Sequence, residues 1–329
     1  MNNNISSLKF RSFSMRLFMG ALFLLGSSWH QFAQAQGYAS KPIHIVSPFP
    51  AAGPSDTAAR LLAPKLIEAL GQPIVLENKP GASGTVGSLS VVKATPDGYT
   101  LLLGATTSHI APYLLRTQTY DPMLDLQPIT NIGSMPFYLM VHSSVGAKTL
   151  GEFIATAKNQ PGKFTYSSPG NGSLAHLCME LLKAQANINL LHVPYKGSAQ
   201  AVQDVIAGHV HATCNVTPTK SDQIKVLAVT STKRSIAMPD VPTSSQAGLL
   251  GFELSLWVGL FGPQKLPATI SERLSREVNR ILSEQDMQEK LRTVNIEFIP
   301  NTPEQFTNFL ATDTPRWGKL IRDIGVKVD

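Results

Sequence analysis

From residue 41 onward the chain alternates short apolar runs with helical patterns, and no other feature restricts the fold as strongly. Ile43-His44-Ile45-Val46 reads as a strand, a Pro/Gly loop follows, and Ala58 to Leu70 carries helical spacing. Gly71 stops that helix and Pro73 guards the stop. Ile74-Val75-Leu76-Glu77 is the next strand, Val86 to Ala94 a helix ended by the turn Pro96-Asp97-Gly98, and Thr100 to Leu103 a third strand. Strand–helix–strand units of this length predict a parallel sheet covered by helices, the α/β class.

A second series follows. Phe137 to Val141 is an apolar strand, and Thr149 with Glu152 predicts a capping box for a helix through Lys158. Phe164-Thr165-Tyr166-Ser167 is a strand ahead of a helix through about Ala184. Leu190 to Val193 and Val210 to Val216 are strands on either side of a helix over Ala199 to Ala207. Val226 to Thr230 and Trp257 to Phe261 are the last strands before a helical C-terminus, whose final helix opens on Thr302, Pro303 and Gln305. Two lobes are expected, each a mainly parallel sheet flanked by helices, with a ligand cleft between them. The chain crosses near Pro136 and again between Val226 and Trp257. Residues 40–138 with about 227–329 then form lobe 1, and about 139–226 lobe 2. No internal repeat or low-complexity linker interrupts this order.

Ahead of the pattern stand Lys9, Arg11 and Arg16, an apolar run from Leu17 to Leu25, and Ala33-Gln34-Ala35. That order predicts a signal peptide over residues 1–35, cleaved after Ala35, and a periplasmic destination. No cysteine precedes Cys178, so no lipid anchor is expected at the new N-terminus. Removal of residues 1–35 leaves 294 of the 329 residues, and the formal charge falls from +6 to about +3. That balance is too mild for nucleic acid, and no Lys/Arg stripe occurs. It suits a small anionic ligand.

Three strand-to-helix loops stand where an open α/β sheet presents its carboxyl edge. The first is Pro48-Phe49-Pro50-Ala51-Ala52-Gly53-Pro54-Ser55-Asp56-Thr57. Its small residues allow close main-chain approach, Ser55, Asp56 or Thr57 can cap the next helix, and first-turn amides suit a carboxylate. An ordinary capped connection would explain Pro54 and Asp56 but not ten small or rigid residues. The second loop is Ser167-Ser168-Pro169-Gly170-Asn171-Gly172-Ser173, leading to His176. Gly170-x-Gly172-x-x-Ala175 formally matches a dinucleotide fingerprint, but Pro194-Tyr195-Lys196 stands where the acidic residue belongs. A nest of amides and hydroxyls for a carboxylate fits the loop better. The third, Gly104-Ala105-Thr106-Thr107-Ser108-His109, offers Thr107, Ser108 and an imidazole.

Enzyme signatures are scarce: there is no Gly-x-Ser-x-Gly, His-Glu-x-x-His or phosphate-loop lysine motif. A hydrolase using Ser168 or Ser173 with His176 lacks an acid to orient the imidazole. His209 and His211 share a strand face without a third ligand, so neither a metal nor a cofactor is expected. Cys178 and Cys214 are chemically free to bridge after export, but spacing does not bring them together, and two buried thiols are the simpler expectation.

With these loops in order, the chain resembles the Bug-type receptors of tripartite tricarboxylate transporters. The resemblance rests on Pro48-Phe49-Pro50-Ala51-Ala52-Gly53-Pro54-Ser55-Asp56, Glu77-Asn78-Lys79-Pro80-Gly81-Ala82 and Pro96-Asp97-Gly98-Tyr99-Thr100. It continues through His192-Val193-Pro194-Tyr195-Lys196-Gly197-Ser198 and Pro239-Asp240-Val241-Pro242-Thr243. It implies a type II-like periplasmic binding protein, monomeric, whose lobes close on a small organic carboxylate and deliver it to membrane permease subunits. By position it assigns the ligand to Phe49, Pro50, Ala51, Ala52, Gly53, Ser55, Asp56, Ser168, Asn171, Gly172 and Ser173; Thr107, Ser108, His176, Tyr195 and Asn215 complete the expected set. Two departures stand out: Ala52 replaces a usual second glycine, and Asn215 a usual aspartate. Asn215 then either reads the ligand's charge or ties down a turn after its strand. A ligand-sensing receptor would show the same sequence features.

Overall fold

The computed structural model describes residues 38–51, 53–115 and 119–326; the predicted signal peptide, its cleavage site and Ala52 lie outside them. Residues 41–329 form one compact unit. The strands are β1 (Ile43–Ser47), β2 (Ile74–Asn78), β3 (Thr100–Ala105), β4 (Leu126–Pro136), β5 (Tyr138–His142), β6 (Thr165–Ser168), β7 (Leu191–Pro194), β8 (Ala212–Asn215), β9 (Ile224–Val229) and β10 (Ser255–Pro263). The helices are α1 (Pro54–Leu70), α2 (Thr85–Val92), α3 (Thr106–Leu114), α4 (Leu150–Asn159), α5 (Leu174–Ala186), α6 (Ser198–Ile206), α7 (Ala268–Leu282), α8 (Gln285–Thr293) and α9 (Pro303–Ile324).

Two five-stranded sheets result, in the orders β2-β1-β3-β10-β4 and β7-β6-β8-β5-β9. Each is mixed rather than parallel throughout, because one strand runs against its neighbours: β10 is antiparallel to β3 and β4, and β5 to β8 and β9. Both reversed strands follow a passage from the other sheet, so they enter from the opposite end. The parallel strands β1, β3 and β6 send their carboxyl ends toward the loops singled out above, and β8 ends on Asn215.

The passages themselves are joined. Phe137 N donates to Thr230 Oγ1 at 2.8 Å and Thr230 N to Phe137 O at 2.9 Å. The same hydroxyl donates to Leu254 O at 2.6 Å, and Leu254 N returns a bond to Thr230 O at 3.1 Å. Thr230 is wholly buried.

The second sheet packs on an apolar cluster that includes Leu139, Val141, Phe153, Tyr166, Leu177 and Leu182. Ile110 and Leu114 of α3 and Trp317 and Ile321 of α9 join the same cluster, so α9 ties elements of both sheets together. Cys178 of α5 and Cys214 of β8 form a disulfide, where two free thiols were expected. Helix packing places the residues 6.3 Å apart at Cα, a proximity that sequence spacing does not encode. Closing a loop across 36 residues stabilises the fold by about 4 kcal/mol on chain-entropy grounds.

Candidate functional site

Helix α1 begins ahead of all three expected caps. Gly53 is its N-cap and Pro54 its first residue, because proline's fixed φ suits N1 and needs no amide partner. Ser55, Asp56 and Thr57 are therefore first-turn residues, not caps. Gly53 has no side chain to cover the first-turn amides. Phe49, Pro50 and Ala51 form the loop ahead of it, half-buried to exposed. Asp56, predicted to meet ligand, is 2% exposed; Arg60 Nε donates to it at 2.7 Å and Asn78 Nδ2 at 3.2 Å. Asn78 Nδ2 also donates to Phe49 O at 3.1 Å, which ties the loop to β2. Asp56 is a strut.

The second loop is organised from behind. Ser173 caps α5 by accepting from His176 N at 3.2 Å, and donates to Gly170 O at 2.7 Å. His176 Nδ1 accepts from Gly172 N at 3.1 Å. Ser168 Oγ is hydrogen-bonded to His192 Nε2 at 2.7 Å and accepts from Gly170 N at 3.2 Å. The two imidazoles stack 4.2 Å apart, and Tyr166 stacks on His192 at 4.8 Å. Burial lowers the pKa of both histidines, His192 to about 4 with help from neighbouring His176. Both rings therefore act as neutral acceptors or donors that fix the loop. Gly170 and Gly172 have φ of +134° and +73°, which glycine alone adopts readily. Asn171 is the exposed tip, and Tyr195 N donates to Ser168 O at 2.9 Å. The Tyr195 hydroxyl is bonded to Asp204 and is turned to structural use.

This geometry bears on the hydrolase reading. Neither Ser168 nor Ser173 bonds a side-chain nitrogen of His176; the serine–histidine pair that forms joins Ser168 to His192, and Ser168 is wholly buried.

The third loop is not a loop. Strand β3 runs directly into α3 at Thr106, since Ser108 Oγ accepts from Ala105 N at 3.0 Å and donates to Ala105 O at 2.9 Å. Ser108 is 1% exposed and spent on this turn. Thr107 is half-buried in the first turn. His109 is enclosed by Trp257 and Phe261, and burial drives its pKa down to about 3. It serves as a neutral core ring.

Asn215 closes β8 and is 4% exposed. Its Oδ1 accepts from Thr217 N at 3.0 Å, so the turn-tying role is real. That bond fixes the amide orientation. Asn215 lines a cavity of about 600 Å³ with Thr57 of α1, Ser198 of α6 and residues 292–296 at and just beyond the end of α8, elements drawn from both sheets' surroundings. Of the predicted residues, Asn215 is the one in this lining; Thr57, Ser198, Arg292 and Asn295 join it, and only Thr57 had been weighed for a local role. Asn295 Nδ2 donates to Val216 O at 2.6 Å and its Oδ1 accepts from Tyr138 at 3.1 Å, a link across the cavity floor.

Among the described residues, no group of three or more His, Cys, Asp or Glu is placed to hold a metal ion, and no helix is long and apolar enough to cross a membrane. His209 and His211 lie outside β8; His211 Nδ1 instead accepts from Thr165 N at 3.1 Å.

Two mixed sheets flanked by helices, with a cavity lined from both, define the two-lobed α/β class of binding proteins. Residues 58–326 match the tripartite tricarboxylate transporter family receptor, and the chain belongs to that family. It is 34% identical to the UPF0065 protein in the tcbD-tcbE intergenic region of Pseudomonas sp. (strain P51), over 93% of each chain. The structure of periplasmic binding protein BugD superposes with a TM-score of 0.71 at 32% identity, covering 88% of this chain and 99% of that one. R. palustris Rpa4515 with adipate superposes at 0.75 with 30% identity and the same coverages.

Proposed function

We propose that the protein is a periplasmic receptor that captures a small organic carboxylate by lobe closure and passes it to membrane permease subunits. The lobes are residues 40–138 with about 227–329, and about 139–226. Export follows cleavage after Ala35, with no lipid anchor, and the receptor acts as a monomer without catalysis. One observation carries the reading: the first turn of α1, which no side chain caps, contributes Thr57 to a cavity it shares with Ser198 and Asn215. Helix N-termini present unpaired amides and a positive dipole end, which favour a carboxylate over a neutral ligand. The relative solved with adipate supports the ligand class, and family membership supports the partner.

Native mass spectrometry of freshly purified protein should show a bound organic acid. Calorimetry with that acid then tests the grip. Gly53→Pro fits the backbone at φ −78° but removes one amide donor. A hydrogen bond to a charged group is worth roughly 1.5–3 kcal/mol, so affinity should fall tenfold or more. Unchanged affinity in a folded Gly53→Pro protein refutes this assignment of the first loop.

A further inference from the structure

Arg292 occupies the last turn of α8 and lines the cavity beneath Asn215 and Ser198. A cation there has a plain structural use, since it complements the negative end of the helix dipole. Lys290 already stands in that turn, however, and reaches Asp286 at 3.5 Å. Arg292 is exposed and its guanidinium forms no ion pair or side-chain hydrogen bond among the described residues. Every other lining residue is uncharged, so no carboxylate of the cavity wall competes for it.

The rest of the wall points the same way. Asn215 is 4% exposed, and its Nδ2 remains unpartnered once Oδ1 has accepted from Thr217 N. Helix α6 begins at Ser198 after Gly197, which has no capping side chain. Asn215 and Ser198 thus stand in the wall of the same cavity as Arg292. The nearby acid on α6, Asp204, is bound to Tyr195 and His209 and is not part of the wall. A cavity of this size lies within the roughly 300–1,000 Å³ of small-molecule sites.

We propose that Arg292 is the specificity-determining residue of the cleft, selecting a ligand with two anionic groups over one with a single carboxylate. The inference rests on the carboxylate reading above and adds to it. One carboxylate meets the uncapped first turn of α1, where Thr57 joins the cavity wall; the second meets the Arg292 fork, with Asn215 as a further donor. Guanidinium matches a carboxylate bidentately, which lysine does not.

Calorimetry against succinate, glutarate and adipate, each beside butyrate, valerate or hexanoate, tests it. The wild-type protein should bind at least one diacid tenfold or more tightly than its monoacid partner. That preference should shrink as salt rises, through screening of the exposed charge. Arg292→Gln should lose the preference, with diacid affinity falling further than monoacid affinity; Arg292→Lys should retain part of it. A preference that survives in Arg292→Gln, or a wild-type protein that binds diacid and monoacid equally, overturns the role of Arg292 and leaves the carboxylate reading standing. Wild-type protein that binds none of the six acids overturns both. Circular dichroism melting checks that each variant is folded, and the salt dependence of the wild-type preference decides the matter should a variant not fold.

Discussion

The two candidate loops differ in how they are held. The second is fastened from behind by His176, His192 and Ser173, whose bonds end on loop atoms, and the helix that follows it is bridged covalently to β8. The first is fastened at its edge by Asn78, and Gly53 leaves its helix end open. A loop with its polar groups already paired keeps its shape before ligand arrives. One with open amides gains more from the ligand itself. The contrast teaches that a binding site need not be uniformly preorganised: one wall can be built and the other completed on binding.

The largest way to break the contrast is to cut the bridge. Replacing Cys178 and Cys214 with serine should lower unfolding stability by about 4 kcal/mol, the loop-closure term. Denaturation with and without reductant measures this, and hydrogen exchange should place the loss in α5 and β8. Equal loosening of β1 would show that the two regions are not held separately.

A middle-sized effect separates the loops by pH. The imidazoles of His176 and His192 have pKa values held below 6.5 by burial, His192 at about 4. The unfolded chain therefore takes up protons that the native state refuses as pH falls from about 6.5 toward about 4. Stability is complete above that window and declines through it. Once protonated, His176 ceases to accept from Gly172 N, so that amide should exchange progressively faster, after correction for intrinsic rates, as pH falls through this window. His176→Ala at pH 7 should cost about 1–3 kcal/mol by stranding the same amide. Matching acceleration around Phe49 would erase the distinction.

The smallest effect concerns Asn78. Asn78→Ala removes bonds to Phe49 O and Asp56 and should cost about 1 kcal/mol, with no dependence on pH between 5 and 7. Chemical denaturation at both pH values checks it; a pH-dependent loss would tie the first loop to the histidine stack.

Much of the fold was legible because strand and helix periods leave a local imprint. Ile43–Ser47 and Ile74–Asn78 form where the apolar runs lie, and Thr302 with Gln305 closes a reciprocal capping box. At α4 the box is only half made, since Glu152 accepts from Lys148 N while Thr149 caps. Strand β4 escaped notice because Pro128, Asn131 and Gly133 break its alternation; pairing with β10 absorbs these through two register shifts. Helix α3 was hidden by its polar opening, which reads as a loop until Ser108 folds back on Ala105. The second loop's small residues were legible, but the partnership of His176 with His192 was not. It depends on β6 and β7 lying side by side, a long-range fact. Arg292 carried no signal beyond its charge.

Thr230 gives the molecule its kinematics. Four hydrogen bonds gather both passages between the sheets at that one residue, while α9 backs them with apolar contacts. A joint stitched at a point and buttressed on one side is a pivot and not a slide. In the closure proposed above, turning about Thr230 is the motion that can leave these four bonds in place, whereas drawing the sheets apart breaks them together.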